Sequence, residues 1–266
     1  MVIKHLLDER LFSEMQYTLQ TETNGSATDF SLYELLQKID SSWYIDYMEN
    51  LSEKDRKYLL SLLPQQIQEK LSYLLSSPFT GYVFEKKMTI ALTNQLFKNI
   101  FGHPPLPLSY LCNNPLFFLL DIDLQPFIFL LGLCDFIPIW KKILRGSFLQ
   151  KINIALSMEE KIFCQTMFSS PLLKTYLPIH NKTMNIYIDP QTLRKAITKQ
   201  GAIVLKIVLI GLQRDFTWYI KHFMPKNDMP TTEEFEHYKP FYDYQKKFLE
   251  KILKIYEIYN QQKKHS

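Results

Sequence analysis

Two stretches of this chain share a pattern, and that pattern constrains the fold more than any other feature. One runs from Asp123-Leu-Gln125 to Leu144-Arg145-Gly146, the other from Asp189-Pro-Gln191 to Leu209-Ile210-Gly211. Each opens on Asp-x-Gln, passes through an apolar stretch and reaches a glycine. An aromatic or apolar segment follows, Phe148-Leu149 with Ile152 in one and Phe216 with Tyr219-Ile220 in the other. A repeat of helical segments points to stacked units that share a core, and stacked scaffolds bind more often than they catalyse. Gly146 and Gly211 follow apolar runs and are predicted to close helices in the left-handed conformation, which glycine adopts without a Cβ clash.

Composition supports an all-α chain. Only 7 of the 266 residues are glycine, fewer than glycine-rich phosphate loops, sandwiches and barrels use. A hydrophobic fraction of 46% with 14% aromatics supplies a substantial core. The net charge of +4 falls short of the basic domain expected of a nucleic-acid binder. Cys112, Cys134 and Cys164 are far apart and odd in number, which reads as free thiols in a reducing cytoplasm. The longest apolar run, Pro115 to Cys134, carries Asp121 and Asp123 near its centre. Each would cost about 2.5–3.5 kcal/mol in a bilayer, so the run is read as buried helix rather than a span. The amino terminus gains charge before any apolar stretch develops, unlike a signal peptide.

Periodicity then sets the organisation. Residues 3–19 read as helix and 20–28 as a linker. Between Phe30 and Leu75 several short helices are predicted. One starts at Ser52, whose side chain can accept an orphan N–H, and another at Pro64. Phe84 to Phe101 is predicted as an amphipathic helix with Ile90, Leu92, Leu96, Phe97 and Ile100 buried. The stretch from Gly102 to Leu108, with prolines at 104, 105 and 107, cannot be helical and reads as an extended connector. The domains are therefore placed at 1–101 and 111–266, joined by 102–110. Four or five short helices are expected between Leu111 and Phe168, and Ser157-Met-Glu-Glu160 fits a capping box. Asn185 to Ile188 could form one short strand. Glu233 to about Gln262 is predicted as a long terminal helix.

No G-x-G-x-x-G, Walker loop, G-x-S-x-G or H-E-x-x-H occurs, and the histidines do not pair with cysteines at metal-ligand spacing. No catalytic residue, cofactor or metal ligand is therefore assigned. Asp121 and Asp123 read as a helix end and a cap. Two surfaces are candidates for partner binding. On the terminal helix Phe241, Phe248, Ile252, Ile255 and Tyr259 recur at near-heptad spacing, with Lys246, Lys247 and Lys251 between them. This face packs on its own domain, receives a partner helix or lies on a membrane surface. The second candidate is the basic stretch Lys141, Lys142 and Arg145. It suits an acidic partner, or complements a helix C-terminus.

The segment Asp121-Ile-Asp-Leu-Gln125 through Ile143-Leu-Arg-Gly146, followed by Leu156-Ser157, resembles the helical units of the flagellar motor switch protein FliG. Leu35-Leu-Gln-Lys-Ile39 and Tyr58-Leu-Leu-Ser-Leu-Leu-Pro64 resemble its armadillo-like half. The likeness covers residues 30–75 and 119–223. The family's Glu-His-Pro-Gln signature and its charged torque residues have no counterpart here. The chain is more similar to the related SctK family, the sorting-platform adaptors of type III secretion injectisomes. The resemblance implies stacked short helices with FliG- or armadillo-like repeats and no enzymatic activity. It implies a place at the cytoplasmic face of the inner membrane, reached through proteins rather than by insertion. There the chain would link the cytoplasmic domain of the inner-membrane ring protein to the pod protein of the sorting platform. A flagellar switch component, or an all-helical enzyme with a site assembled from dispersed residues, are the alternatives.

Overall fold

A computed structural model describes residues 31–75, 82–103, 105–142, 146–168, 170, 189–210, 212–228 and 245–265. Among them the chain is all-α, with no strand. Eleven helices are described: α1 Leu32–Lys38, α2 Ser42–Glu49, α3 Glu53–Leu60, α4 Gln65–Leu74, α5 Lys86–Phe101, α6 Leu124–Trp140, α7 Gly146–Ala155, α8 Met158–Phe168, α9 Pro190–Leu209, α10 Arg214–Phe223 and α11 Gln245–His265. The helix predicted near residues 3–19, the strand at 185–188 and the start of the terminal helix at Glu233 lie outside the described residues.

Side-chain oxygens satisfy the orphan amides at many helix starts, and the sequence marks most of them. Ser52 Oγ accepts from the Asp55 amide at 3.2 Å, as predicted. Pro64 sits one position earlier than expected. It is the residue before the helix, and its carbonyl accepts from Ile67 and Gln68. Ser31 and Glu34 form a capping box that opens α1, and Ser157 and Glu160 form the predicted one that opens α8. Asp123 and Asp189 both cap their helices, accepting from the amides of Gln125 at 3.1 Å and Gln191 at 2.9 Å. The shared Asp-x-Gln is thus one device used twice: a capping carboxylate followed by the amide it holds.

Beyond the caps the two stretches diverge. Gly146 does not close a helix; it is the first residue of α7 and has no positive φ. Gly211 lies outside the described residues. The positive φ among the described glycines belongs to Gly102, at +80°, which ends α5 with its amide on the Lys98 carbonyl. Of the four or five short helices expected between Leu111 and Phe168, the described residues hold four, a 3-10 turn at Phe117–Leu120 followed by α6, α7 and α8, and α6 is longer than expected at 17 residues. Pro126 does not break α6 because it lies in the first turn, where no intrahelical N–H is needed. Pro138 lies near the other end and forfeits one bond.

The chain divides into two compact units that are not contiguous in sequence. One contains the described residues of Met1–Phe117 together with Arg214–Lys226; the other comprises those of Phe118–Gln213 and Asn227–Ser266. The expected boundary at 102–110 is therefore corrected. Residues 102–110 belong to the first unit because α10 holds them. The Leu106 amide donates to Asp215 at 3.1 Å, Tyr219 Oη donates to the Leu106 carbonyl at 3.0 Å, and Leu108 is buried. Helix α10 joins this unit through rings. Trp218 lies 5.8 Å from Phe97 and 6.1 Å from Phe101, centroid to centroid. Leu92, Leu96 and Phe97 are buried as predicted, whereas Ile90 and Ile100 are half-buried.

The second unit is built on α6 and α9, with α7, α8 and α11 against them. Helix α6 has no polar face. Its residues from Phe127 to Ile137 are all buried, and each large apolar side chain among them stabilises by about 1.5–3 kcal/mol. Glycine lets α6 and α9 approach closely. A Cβ placed on Gly132 would lie 1.9 Å from the Ile197 carbonyl oxygen, and one on Gly201 would lie 1.9 Å from that of Ile128. Each glycine faces the carbonyl four residues before the other. The crossing is reciprocal, and backbone meets backbone there as it does at small-residue crossings between apolar helices.

Candidate functional site

Among the described residues no group of three or more His, Cys, Asp or Glu side chains is placed to hold a metal ion. Cys134 and Cys164 are buried, and burial pushes both thiols up to about 12, so neither supplies a thiolate near neutral pH. Asp123 spends its carboxylate on the α6 cap.

The terminal helix turns the predicted contact face inward. Phe248, Ile252, Ile255 and Tyr259 are buried against α6 and α9, and Phe248, Ile252 and Ile255 are at most 1% exposed. Tyr256 stacks on Phe118 with centroids 3.7 Å apart, and Tyr259 meets Phe127 edge-on at 5.8 Å. Of the readings of this face, packing within the unit is the one observed, so these four side chains are core rather than a partner or membrane surface. Phe241 lies outside the described residues. Lys246 and Lys247 are exposed and alternate with Glu250, Lys254 and Glu257. Such a mixed-sign face is a solvated one.

Lys251 is the residue the sequence reading placed wrongly. It is 1% exposed, and its ammonium donates to Asp135 Oδ1 at 2.6 Å. Both side chains are fully buried. Gln200 Nε2 donates to the other carboxylate oxygen at 3.0 Å. Three helices thus converge on one carboxylate: α6 brings Asp135, α9 brings Gln200 and α11 brings Lys251. The sequence signal was available, since a lysine and an aspartate interrupt two otherwise apolar faces. Spacing alone did not pair them across 116 positions.

The basic candidates separate in the same way. The Lys141 ammonium donates to the Phe168 carbonyl at the end of α8 and lies 5.2 Å from the Phe168 ring centroid. It closes the C-terminus of a neighbouring helix. Lys142 is exposed, and Arg145 lies outside the described residues. A second tie was not foreseen. The Arg194 guanidinium pairs with both oxygens of Glu160 at 2.7 and 2.8 Å, donates to the Ala155 carbonyl at 2.8 Å and stacks 4.2 Å over Phe129. The Glu160 hydrogen bond holds Arg194 above its ordinary range. Glu160 thereby serves the α8 cap and the α8–α9 contact at once.

The exposed apolar side chains are elsewhere. In the second unit Ile154, Met158 and Ile162 follow one another at four-residue intervals across the α7–α8 junction, with Ile154 and Met158 about 70% exposed. In the first unit Tyr82 stacks on Tyr58 with centroids 4.2 Å apart, Phe84 lies beside both, and Val83 is fully exposed. The sequence reading passed over these residues because they fill apolar positions in helix-like patterns, and only burial separates such positions from a surface.

Comparison of the chain with protein-family models, with curated proteins and with solved structures returns no match.

Proposed function

We propose that this chain is a non-enzymatic helical adaptor of a type III secretion injectisome, bridging the inner-membrane ring and the pods of the sorting platform. The observation that carries the reading is the resemblance of residues 30–75 and 119–223 to the SctK and FliG families. The all-α fold agrees with it, as do the matched Asp123 and Asp189 caps. A scaffold needs rigid helices and outward-facing contacts rather than a reactive cleft. Among the described residues no helix is long and apolar enough to cross a membrane, in keeping with attachment through protein partners.

In this reading the partner-facing side of the second unit is the α7–α8 junction, with Ile154, Met158 and Ile162, rather than the buried face of α11. The test is physical association. The tagged full chain is purified from its own cells and the co-purifying proteins are identified by mass spectrometry. Recovery of ring and pod components supports the adaptor. Their loss in a Met158→Asp/Ile162→Asp variant with unchanged circular dichroism would assign the surface. Recovery of stator or switch proteins would replace this reading with the flagellar one. Elution of the chain alone would overturn it.

A further inference from the structure

The apolar face of α11 does not by itself fix where the helix sits along α6 and α9. Consider a slip of one turn that gives each site to the residue three positions earlier. The sites of Ile252, Ile255 and Tyr259 then receive Leu249, Ile252 and Tyr256, and only the Phe248 site, receiving Gln245, loses an apolar occupant. A slip that brings the residue four positions later fills the sites of Phe248, Ile252 and Ile255 with Ile252, Tyr256 and Tyr259. Both slips move the helix by about one pitch and keep three of the four buried apolar occupants, the second bringing Lys263 to the site of Tyr259.

What neither slip keeps is the cation opposite Asp135. The first places Phe248 there and the second Ile255, leaving a fully buried carboxylate without its positive partner. Slips that would bring Lys254 or Lys247 to Asp135 instead push Lys251 into the site of Phe248 or Ile255. Each alternative therefore buries an unpaired charge, whereas the observed position buries a pair with Gln200 on the second oxygen. A buried pair adds little stability over an apolar substitute, and selection of one register is its best-attested use.

We propose that Asp135, Gln200 and Lys251 form a register lock, which holds the terminal helix at a single position on the second unit.

The test reads register by disulfide trapping in the full chain. Cys112, which is exposed, is first changed to Ser. Phe118→Cys is then combined in turn with Tyr256→Cys, Leu253→Cys or Asn260→Cys. Phe118 and Tyr256 stack in the observed register; Leu253 and Asn260 take the place of Tyr256 in the two slips. With the lock intact, oxidation should cross-link the Tyr256→Cys protein alone. In the neutral background Asp135→Leu/Gln200→Met/Lys251→Met, the Leu253→Cys and Asn260→Cys yields should rise from background to a level comparable with Tyr256→Cys. Moving the lysine should move the helix. In Phe248→Lys/Lys251→Leu the dominant cross-link should shift from position 256 to position 253. The proposal is overturned if the neutral background still cross-links at 256 alone, or if the displaced lysine leaves the cross-link at 256. A neutral background that fails to fold overturns it too, since the cluster would then supply stability rather than register.

Discussion

Gly132 and Gly201 each sit where an added methyl group would strike the backbone of the other's helix. The obstructing carbonyls, of Ile197 and Ile128, lie 1.9 Å from the sites of the added carbons. Neither is a flexible side chain that could turn away, so α6 and α9 must separate or shift to admit even alanine. Alanine is otherwise favoured over glycine inside a helix by about 0.5–1 kcal/mol. We therefore expect the ordinary sign to reverse. Gly132→Ala and Gly201→Ala should each destabilise by about 1–3 kcal/mol, the range seen for overpacked cores, as measured by urea unfolding. Gly146→Ala meets nothing within 4 Å and should be neutral or slightly stabilising. An unchanged midpoint for Gly201→Ala would mean that the helices are not this close.

Burial of the α11 face turns a contact prediction into a folding prediction. Phe248→Asp places a charge at a site that is 1% exposed. It should abolish soluble, helical protein outright instead of removing one partner from an intact molecule. Lys251→Met acts on the other half of the same geometry, because it strands the Asp135 carboxylate without a cation. Removing one member of a buried pair costs about 3–5 kcal/mol, a large share of the 5–15 kcal/mol that holds a typical domain. Adding Asp135→Leu should recover most of the loss in thermal unfolding. If Lys251→Met alone melts as the wild type does, the ammonium is not buried.

How far the sequence reaches depends on the range of the interaction that sets each feature. Caps are local. Ser52, Ser157 and Asp123 could be read because their partners lie two or three residues away. The α class and the buried side of α5 follow from periodicity. Features set between distant segments were not legible. Gly146 was expected to close a helix because it follows an apolar run, whereas the decisive glycines sit inside helices and are explained only by the helix across from them. Lys251 looked like the polar edge of an amphipathic stripe until α6 supplied Asp135. Helix α10 was assigned to the second half by its place in the chain, although Trp218 finds its partners at Phe97 and Phe101.

Arg194 provides a test of geometry against charge. It makes a forked pair with Glu160, bonds the carbonyl of Ala155 and lies over the Phe129 ring, 4.2 Å from its centroid. Its side chain is 43% exposed, so solvent screens part of the attraction. Arg194→Met should then destabilise by about 1–2 kcal/mol, chiefly through loss of charge-assisted hydrogen bonds. Lysine keeps the charge but can neither fork nor stack. Arg194→Lys should therefore fall near Arg194→Met in a melting experiment. Full rescue by lysine would show that charge alone matters.

His222 gives the first unit a dependence on pH whose direction follows from its surroundings. Its ring lies 4.1 Å from Trp218, 4.6 Å from Trp43 and 5.4 Å from Phe101, centroid to centroid, and Nδ1 lies 2.8 Å from the Trp218 carbonyl oxygen. Burial, opposed by that hydrogen bond and aided by nearby Lys221, lowers its pKa from 6.5 to about 4. Between those two values the unfolded chain binds a proton that the folded chain refuses. Stability contributed by the neutral ring is therefore complete above pH 6.5, declines as pH falls, and is lost by about pH 4. The shift corresponds to about 3 kcal/mol across that window. His222→Gln can still donate to the Trp218 carbonyl but does not titrate. Melting temperatures measured at pH 7 and pH 4.5 should fall further for the wild type than for the variant. Equal falls in the two proteins would place His222 in contact with water and remove the ring cage as the cause.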